Sequence, residues 1–364
     1  MTQALARDDI IRRHGEAAEG AREPLLVLEP LAELLAAHGL GTGDAGELEV
    51  TPVGDGHSNV TVSLSSGDRE VILRRPPRGP LPPSAHDVIR EARLLSALEA
   101  TSVRAPRVLL ACDDASVIGA PFYLMERVKG EVITATMPEA LDTVEERRRV
   151  AEELIDALVE VHAVDWMAAG LEGFGKPTGY LERQLRRFTG LWEHNRTRDL
   201  PAVERVGAWL ADNLPASPPA TIVHGDYRLG NAIYAGRPPA RLEAILDWEM
   251  ATIGDPLADL GYLMMLWGEA GDPPVDTFDL QSVTRLAGFP TRAELLARYE
   301  ERSGRTMQAP RWYLTLALWK AVVFMEGNYK RAVAGTTDDP YLKSFGEGVV
   351  QLAERALEVT QGAP

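Results

Sequence analysis

The spacing of apolar residues changes near residue 130, and this change restricts the chain to a few fold classes. Between residues 48 and 75, apolar side chains alternate with polar ones between Gly, Asp and Ser turns, the pattern of antiparallel strands. Two further apolar runs, 106–114 and 120–128, have the composition of strands. After Gly130, apolar residues recur mostly at helical spacing. The sequence therefore predicts an α+β protein with a small antiparallel β lobe followed by a larger, mainly helical lobe.

This division predicts the domain boundaries. We expect a loosely held polar arm over residues 1–25, a first lobe over 26–127 and a second lobe over 128–364. The second lobe should contain helices at 144–164, 178–195, 201–213, 256–267, 291–303, 310–333 and 340–360, interrupted by short apolar stretches at 220–223 and 242–246.

Two helices are predicted in the first lobe. Residues 28–40 have apolar side chains at helical spacing and end at Gly39. A second helix should begin at Ser84, because Asp87 follows three residues later and completes a capping box. This helix should carry Val88, Leu95 and other apolar residues on one stripe.

Composition excludes several classes of protein. The 364 residues include 38 Lys or Arg and 54 Asp or Glu, which gives a net charge of −16 and argues against a nucleic-acid partner. The single cysteine, Cys112, excludes an intramolecular disulfide framework and a Cys-based zinc cluster. We find no apolar run of about 20 residues, so no membrane association is expected. The N-terminal segment lacks the apolar centre of a signal peptide, so a cytoplasmic protein is expected. The oligomeric state, a homodimer included, stays open.

The strongest chemical signal is the segment TIVHGDYRLGN, residues 221–231. An apolar strand there leads into His224, Gly225 and Asp226, and Asn231 follows the aspartate by five residues. A second apolar strand, in AILDWE, leads into Asp247. Carboxylate and amide oxygens at strand ends suit Mg²⁺, which proteins bind through one or two carboxylates together with substrate phosphates.

These segments resemble the catalytic and metal-binding loops of the protein-kinase-like superfamily. HGDYRLGN, ILDWE and GDPLADLGYL (254–263) are most similar to the aminoglycoside-phosphotransferase-like branch, and in particular to the kinase-like domain associated with some acyl-CoA dehydrogenases. GDGHSN, LPPSAHDVIREARLLSAL, VIGAPFYLMERVKG and NYKRA extend the resemblance over roughly residues 45–335. The resemblance implies a protein-kinase-like two-lobed fold, ATP and Mg²⁺ as cofactors, and a small-molecule hydroxyl as the acceptor. GTP in place of ATP stays open.

The resemblance also implies roles for the residues of both loops. Asp226 would be the catalytic base or orienting residue that accepts the proton of the substrate hydroxyl, and Asn231 and Asp247 would be the metal ligands. His224 would support the catalytic loop from within the core. Asp259 would brace the backbone of that loop. Asp255 could do the same, or could cap the helix that begins at Pro256.

A charged pair in the first lobe is indicated by the residues as well as by the resemblance. Glu91 lies on the apolar stripe of its helix, where an unpaired charge is costly. In the strand VILRR, Val71 and Leu73 face one side, so Arg74 faces the other and Arg75 points away from it. The family pairs a strand cation with this helix glutamate to hold phosphates. Arg74 matches the cation position, where kinases in general have lysine. A surface pair worth less than about 1 kcal/mol is the alternative.

Two further groups of residues are assigned by the same resemblance. The turn containing Gly56, His57, Ser58 and Asn59 would cover the nucleotide phosphates, although such a turn is also typical of an ordinary hairpin. Residues 125–128 resemble the connection between lobes, where the backbone of Glu126 and Val128 would hold adenine and Met125 would line its pocket.

Arg228, two residues after Asp226, would stabilise the transferring phosphoryl group or would be a solvated loop arginine. Trp248 is expected to pack the loop that carries Asp247 rather than touch substrate.

The acceptor is the least determined part of the prediction. The helix at 310–333 carries Trp312, Trp319, Lys330 and Arg331, which could form a core stripe or a surface for an acyl chain with an anionic end. The resemblance implies phosphorylation of a hydroxyacyl-CoA or hydroxy acid. An aminoglycoside or other small-alcohol kinase is the alternative, and a nucleotide-binding pseudokinase or scaffold is the alternative from another class.

Overall fold

The chain folds into two compact units. The computed structural model describes residues 6–16, 22–54, 59–79, 86–272, 282–335 and 340–362. The first unit comprises Met1–Thr101 and Ala105–Lys129, and the second comprises Ser102–Arg104 and Gly130–Pro364. The α+β class predicted from the sequence is confirmed, because an antiparallel sheet occupies the first unit and most of the helices occupy the second.

The first unit contains two helices and seven strands among its described residues. In chain order these are β1 (Ile10–Ile11), β2 (Leu26–Val27), α1 (Leu28–Ala37), β3 (Glu49–Pro52), β4 (Val60–Ser66), β5 (Arg69–Arg75), α2 (Val88–Leu98), β6 (Val108–Cys112) and β7 (Phe122–Glu126). Five of the described strands form one antiparallel sheet in the order β3-β4-β5-β7-β6.

The two faces of this sheet carry different side chains, as the alternation in β5 predicts. Val71 and Leu73 belong to a buried cluster with Leu31 and Leu35 of α1. Arg74, between β4 and β7 in the sheet, bonds to Glu91 of α2. The faces differ because successive residues of a strand point to opposite sides.

Arg75 lies on the α1 side of the sheet and is buried, with 4% of its surface exposed. Its guanidinium donates hydrogen bonds to the backbone carbonyls of Pro76, Leu25 and Ile118. Burial, and secondly the nearby Arg78 charge, lower the pKa of Arg75 to about 10. This arginine therefore satisfies backbone carbonyls, whereas its neighbour Arg74 is paired with a carboxylate.

The segment expected as a loose arm takes part in the first unit. Ile10 and Ile11 pair in parallel with Leu26 and Val27, and the Leu25 amide donates to the Asp9 carbonyl. A pairing of two residues per strand is too short to produce a recognisable sequence pattern.

The predicted start of the main helix in the first unit is wrong. α2 begins at Val88, and its N-cap is Asp87, whose carboxylate accepts a hydrogen bond from the Arg90 amide at 2.9 Å. His86 has a φ of 57°, which a right-handed helix does not allow, so the helix cannot extend back through it. Ser84 lies outside the described residues.

The second unit contains seven helices and five short strands among its described residues. In chain order these are β8 (Glu131–Val132), α3 (Val144–Ala163), α4 (Tyr180–Asn195), α5 (Pro201–Asp212), β9 (Thr221–Val223), β10 (Ala232–Tyr234), β11 (Leu242–Ile245), β12 (Thr252–Gly254), α6 (Leu257–Leu266), α7 (Arg292–Ser303), α8 (Pro310–Val333) and α9 (Pro340–Thr360). The helices agree with the predicted ranges to within two residues, whereas β8, β10 and β12 are additional to the prediction.

Helix α8 forms the centre of the helical packing and contacts α4, α5, α6 and α9. Its Trp312 and Trp319 are buried, and their indole N–H groups donate to the Leu210 and Val203 carbonyls of α5 at 3.0 Å. Close contact with α6 requires Gly261, since a Cβ there would lie 2.6 Å from the Tyr313 carbonyl oxygen. The aromatic stripe is therefore part of the core.

All seven tryptophans of the chain lie in the second unit, from Trp166 to Trp319. Within the described residues, every helix is either too short or too polar to cross a bilayer.

Candidate active site

The loop that carries Asp226 follows β9, a three-residue strand buried on both faces. β9 pairs in antiparallel register with β12, so that Val223 lies opposite Thr252. β12 leads directly into Asp255 and α6. The loop after one strand and the first turn of the helix after the other are thereby brought side by side.

Asp259, in the first turn of α6, holds the backbone of this loop. Its carboxylate accepts hydrogen bonds from the amides of His224 at 2.7 Å and Gly225 at 2.8 Å. The His162 ring of α3 contacts the same carboxylate at 3.2 Å, and its other nitrogen lies 2.8 Å from the Tyr299 hydroxyl of α7. Burial would raise the pKa of Asp259, but the hydrogen bonds from His162 and the Gly225 amide lower it. The bracing that the resemblance implies is present.

His224 connects the two loops that carry the proposed functional carboxylates. Its Nδ1 accepts a hydrogen bond from the Asp226 amide at 3.2 Å, so its Nε2 must donate to the Leu246 carbonyl at 2.9 Å. Leu246 immediately precedes Asp247, and its own amide donates to the Asn231 carbonyl at 2.7 Å. The ring is fully buried and lies 4.7 Å from that of Trp248. His224 therefore fixes the relative position of the loops through their backbones.

The Asp226 side chain is partly exposed and has a neighbour at each oxygen. The Asn231 amide group donates to Oδ2 at 2.8 Å and to the Asp226 carbonyl at 2.9 Å. The Arg228 Nε lies 3.6 Å from Oδ1. About a quarter of each side chain is exposed, 23% for Asp226 and 24% for Arg228. The arrangement presents one oriented carboxylate beside a guanidinium, which is chemically suited to accepting a proton next to an anionic group.

Asp247 follows β11 in a left-handed backbone conformation, with a φ of 65°. Outliers of this kind concentrate at ligand sites, and Asp tolerates the conformation better than most residues. The next residue, Trp248, is buried and donates its indole N–H to the Ile245 carbonyl at 2.8 Å. As expected, Trp248 packs beneath this loop.

The side chains of Asn231 and Asp247 fit the donor set expected for Mg²⁺. The Asn231 amide group is occupied by Asp226, which leaves its oxygen as the atom that can face a cation. Among the described residues there is no cluster of three or more His, Cys, Asp or Glu side chains that could hold a metal by itself. A site with one carboxylate and one amide needs further oxygens, and nucleotide phosphates supply them in magnesium-dependent phosphotransferases.

Gly225 is required by the geometry of the loop. It has a φ of 88°, and a Cβ at this position would lie 2.9 Å from the Met250 carbonyl oxygen and Cβ. Any other residue would push apart the loop that carries Asp226 and the 3₁₀ turn Trp248–Met250 after Asp247.

Asp255 takes the capping role that was left open in the sequence. Its Oδ1 accepts a hydrogen bond from the Leu257 amide at the start of α6, at 2.9 Å. Its Oδ2 accepts one from the Tyr313 hydroxyl of α8 at 2.8 Å. Burial raises the pKa of Asp255 above its usual value, in spite of hydrogen bonds from Ser217, Tyr313 and Leu257 that act in the opposite direction.

In the first unit, Arg74 and Glu91 form the expected ion pair. The Arg74 Nε donates to the Glu91 Oε2 at 3.0 Å, and a second guanidinium nitrogen lies 3.4 Å from the Thr61 hydroxyl. Only 12% of the Arg74 side chain and 3% of the Glu91 side chain are exposed. The alternative of a weak surface pair is therefore wrong. The phosphate-binding role of Arg74 stays a prediction.

The turn predicted to cover phosphates is described only in part. Gly56, His57 and Ser58 lie outside the described residues. Asn59 is buried, and its side-chain oxygen accepts a hydrogen bond from the His86 Nδ1 at 3.0 Å. Asn59 therefore ties the start of β4 to the residue before the N-cap of α2.

The residues predicted to hold adenine lie at the end of β7. Met125 pairs with Ile72 of β5 and is partly buried. The Glu126 amide donates to the Arg107 carbonyl, and its carboxylate accepts from the Arg107 amide. Val128 lies two residues beyond the strand and is partly buried. Their role toward a base stays a prediction.

Tyr262 of α6 belongs to the site but was missed in the sequence. Burial, and secondly the neighbouring Asp226 carboxylate, raise the pKa of Tyr262 well above its usual value, whereas Arg228 acts in the opposite direction. His162 and Tyr299, which support Asp259, were also missed. A polar residue on an apolar helical stripe, as His162 is in α3, was the available signal.

A comparison with protein families decides the affiliation of the chain. The profile of the phosphotransferase enzyme family, APH, matches residues 49–313, which include both loops and the Arg74–Glu91 pair. The chain belongs to this family.

The chain is similar to mouse acyl-CoA dehydrogenase family member 10. The identity is 34% over 321 residues, which are 88% of this chain but only 30% of the mouse protein. The chain thus spans about a third of the length of this relative. A candidate aminoglycoside phosphotransferase from Ralstonia eutropha has a crystal structure that covers 92% of this chain and 98% of its own, with 31% identity and a TM-score of 0.78.

A more distant member of the same fold is the aminoglycoside phosphotransferase APH(4)-Ia, a thermostable mutant of which is known in a ternary complex with AMP-PNP and hygromycin B. It matches with a TM-score of 0.57 and 15% identity over 87% of this chain and 96% of its own. The likeness establishes that this chain has the kinase-like fold of the aminoglycoside phosphotransferases.

Proposed function

We propose that the chain is an active kinase that transfers the γ-phosphoryl group of ATP to a hydroxyl group of a small molecule. Asp226 accepts the proton of the hydroxyl, Arg228 stabilises charge on the transferring group, and Asn231 and Asp247 are the metal ligands. Arg74, held by Glu91, binds the nucleotide phosphates.

The observation that carries this proposal is the support of the Asp226 loop. Two backbone amides of the loop donate to the buried Asp259 carboxylate, and His224 joins the loop to the residue before Asp247. This support acts on the backbone of the loop. The Asp226 side chain is oriented by Asn231 and stays partly exposed. A loop fixed in this way loses little entropy when a substrate binds, which is what catalysis by positioning requires.

In the proposed reaction, the substrate oxygen forms a bond to the γ-phosphorus while the bond from that phosphorus to the β–γ bridging oxygen breaks and ADP leaves. The hydroxyl proton passes to Asp226. Arg228, close to Asp226, donates to the phosphoryl oxygens as their charge develops. When bound, Mg²⁺ would neutralise charge on the phosphates, held by the Asn231 oxygen and the Asp247 carboxylate.

The relatives favour an acyl-CoA-linked acceptor. The region shared with mouse acyl-CoA dehydrogenase family member 10 covers most of this chain, and that protein is named for an acyl-CoA enzyme. A kinase associated with such chemistry would act on the hydroxyl of a hydroxyacyl-CoA or of the corresponding hydroxy acid.

The test is the variant Asp226→Asn, which keeps the shape of the side chain and removes its ability to accept a proton. We expect acceptor-stimulated ADP release to fall by about three orders of magnitude, in line with the loss of a general base and of orientation. The affinity for ATP with Mg²⁺, measured by calorimetry, should change by less than about threefold. Asp212→Asn, at the exposed end of α5, is the matched control.

A variant that retains turnover within about tenfold of the parent would overturn the role of Asp226. Binding of Mg·ATP without acceptor-stimulated, Asp226-dependent ADP release from any alcohol would favour a nucleotide-binding pseudokinase.

A further inference from the structure

A crevice lies beside the Asp226 loop, within the second unit. Its walls are formed by Gly225 of the loop, by Asp259 and Tyr262 of α6, by Tyr180 of α4 and by Lys320 of α8. Gly225 directly precedes Asp226 in the chain, so the crevice borders the loop that carries the proposed base.

Lys320 is the basic residue of this wall, and its ammonium group is unpaired. In the part of the chain that the structure describes, the ammonium makes no hydrogen bond and no ion pair, and it lies 4.9 Å from the centre of the Phe188 ring. Burial, and secondly the charge of Arg187, lower the pKa of Lys320 to about 8. The Phe188 ring offsets only part of the cost of burying this charge, because it provides neither an anion nor a hydrogen-bond acceptor of the ordinary kind.

The nearby carboxylate does not satisfy this ammonium. One oxygen of Asp259 accepts from the His224 amide and contacts His162, and the other accepts from the Gly225 amide. Its charge only partly offsets the lowering of the Lys320 pKa. Lys320 is therefore the group through which the crevice can attract a negative charge.

Two tyrosines, Tyr180 of α4 and Tyr262 of α6, line the same crevice as Lys320. Burial raises the pKa values of the Tyr180 and Tyr262 phenols, so both stay neutral hydrogen-bonding groups along the wall.

We propose that Lys320 binds an anionic group of the acceptor, so that the enzyme acts on negatively charged alcohols and not on polycations. The hydroxyl of such a molecule lies at Asp226 while its anionic group lies at Lys320. This inference rests on the kinase function proposed above and specifies its substrate class.

The experiment compares Lys320→Met, which keeps the length of the side chain without its charge, with Lys320→Arg, which restores a cation. Lys343→Met, on the exposed side of α9, is the matched control. ADP release is measured with a 4-hydroxy acid, its CoA thioester, its uncharged pantetheine thioester and an aminoglycoside. Thermal melting of each variant reports whether it folds.

We expect Lys320→Met to raise KM for the anionic acceptor at least tenfold with kcat changed less than threefold. Lys320→Arg should recover most of the loss, and KM for the uncharged thioester should stay constant. An effect on the free acid identifies a carboxylate as the anionic group, whereas an effect on the CoA thioester alone identifies a phosphate.

A purely structural role of Lys320 would lower the melting temperature and affect all acceptors equally, and this result would overturn the inference. Preference of the parent enzyme for the uncharged thioester or the aminoglycoside would also overturn it. In both cases Asp226-dependent ADP release would still support the kinase. If no acceptor gives Asp226-dependent ADP release, the proposed kinase function is wrong. If the anionic acceptors also fail to bind to the protein, the inference about Lys320 is wrong as well.

Discussion

The two units of the molecule fix their proposed functional charges in different ways. In the first unit, Arg74 is held by another side chain, Glu91, and both residues belong to regular elements. In the second unit, Asp226 is held through its backbone, because the buried Asp259 binds the amides of the preceding residues. The first arrangement restrains the charged group through one buried ion pair, whereas the second restrains the loop backbone as well as the Asp226 side chain, which Asn231 orients and about a quarter of which stays exposed.

The largest effect should come from removing Asp259. Asp259→Ala leaves two buried amides and the His162 ring without their acceptor, so we expect a loss of about 3–5 kcal/mol in the free energy of unfolding. Kinase activity should fall as strongly as in Asp226→Asn, because the loop is no longer positioned. Urea unfolding followed by circular dichroism measures the first effect. A loss below about 1 kcal/mol would show that the loop does not depend on this carboxylate.

A smaller effect is expected from breaking the pair in the first unit. Glu91→Ala leaves a guanidinium that is only 12% exposed without its carboxylate partner, and we expect a loss of about 2–4 kcal/mol. The affinity for Mg·ATP should fall while the acceptor KM stays constant. Calorimetric titration with ATP measures the affinity.

The control for this prediction is Glu145→Ala, which removes the exposed partner of Arg149 on α3 and should cost less than about 0.5 kcal/mol. Equal losses from Glu91→Ala and Glu145→Ala would contradict the view that burial makes the Arg74–Glu91 pair important.

The smallest effect concerns two carboxylates four residues apart. The pKa of Asp259 is lowered, so its contribution to stability is present above its unfolded pKa and is lost as the pH falls through its folded pKa. The pKa of Asp255 is raised by burial, so its ionisation weakens the fold as the pH rises through its folded pKa.

Asp255→Asn should therefore lose less stability than the parent does, or gain some, when the pH is raised from about 4 toward 7. Urea midpoints of the two proteins at several pH values measure this difference. An identical dependence on pH in parent and variant would show that Asp255 titrates as it does in the unfolded chain.

The features that could be predicted from the sequence lie mainly in regular helices and strands, and those that could not lie mainly in loops and short elements. The alternation in β5 and the helical spacing around Glu91 are local periodicities, and together with the family resemblance they were sufficient to predict the pairing of Arg74 with Glu91. The start of α2 could not be predicted, since it depends on the backbone of His86. Strands of two or three residues, such as β8 and β12, are too short to produce a period.

The supporting residues of the site were harder to predict because they depend on contacts distant in sequence. His162, Tyr299 and Lys320 meet the loop only through the packing of α3, α7 and α8. The aromatic spacing in α8 was visible, but only the contacts of Trp312 and Trp319 with α5 assign these side chains to the core. Periodicity finds the buried stripe of a helix and does not identify what lies against it.

All seven tryptophans lie in the second unit, so the chain carries natural fluorescent labels in that unit. Tryptophan fluorescence therefore reports only on the unit that carries Asp226, and Trp248 lies directly beneath the Asp247 loop. The single cysteine, Cys112 on β6, lies in the other unit, is partly buried, and carries the one thiol of the chain. A dye attached to this thiol would be a single acceptor for energy transfer from the tryptophans, so the separation of the two units could be measured without any engineered residue.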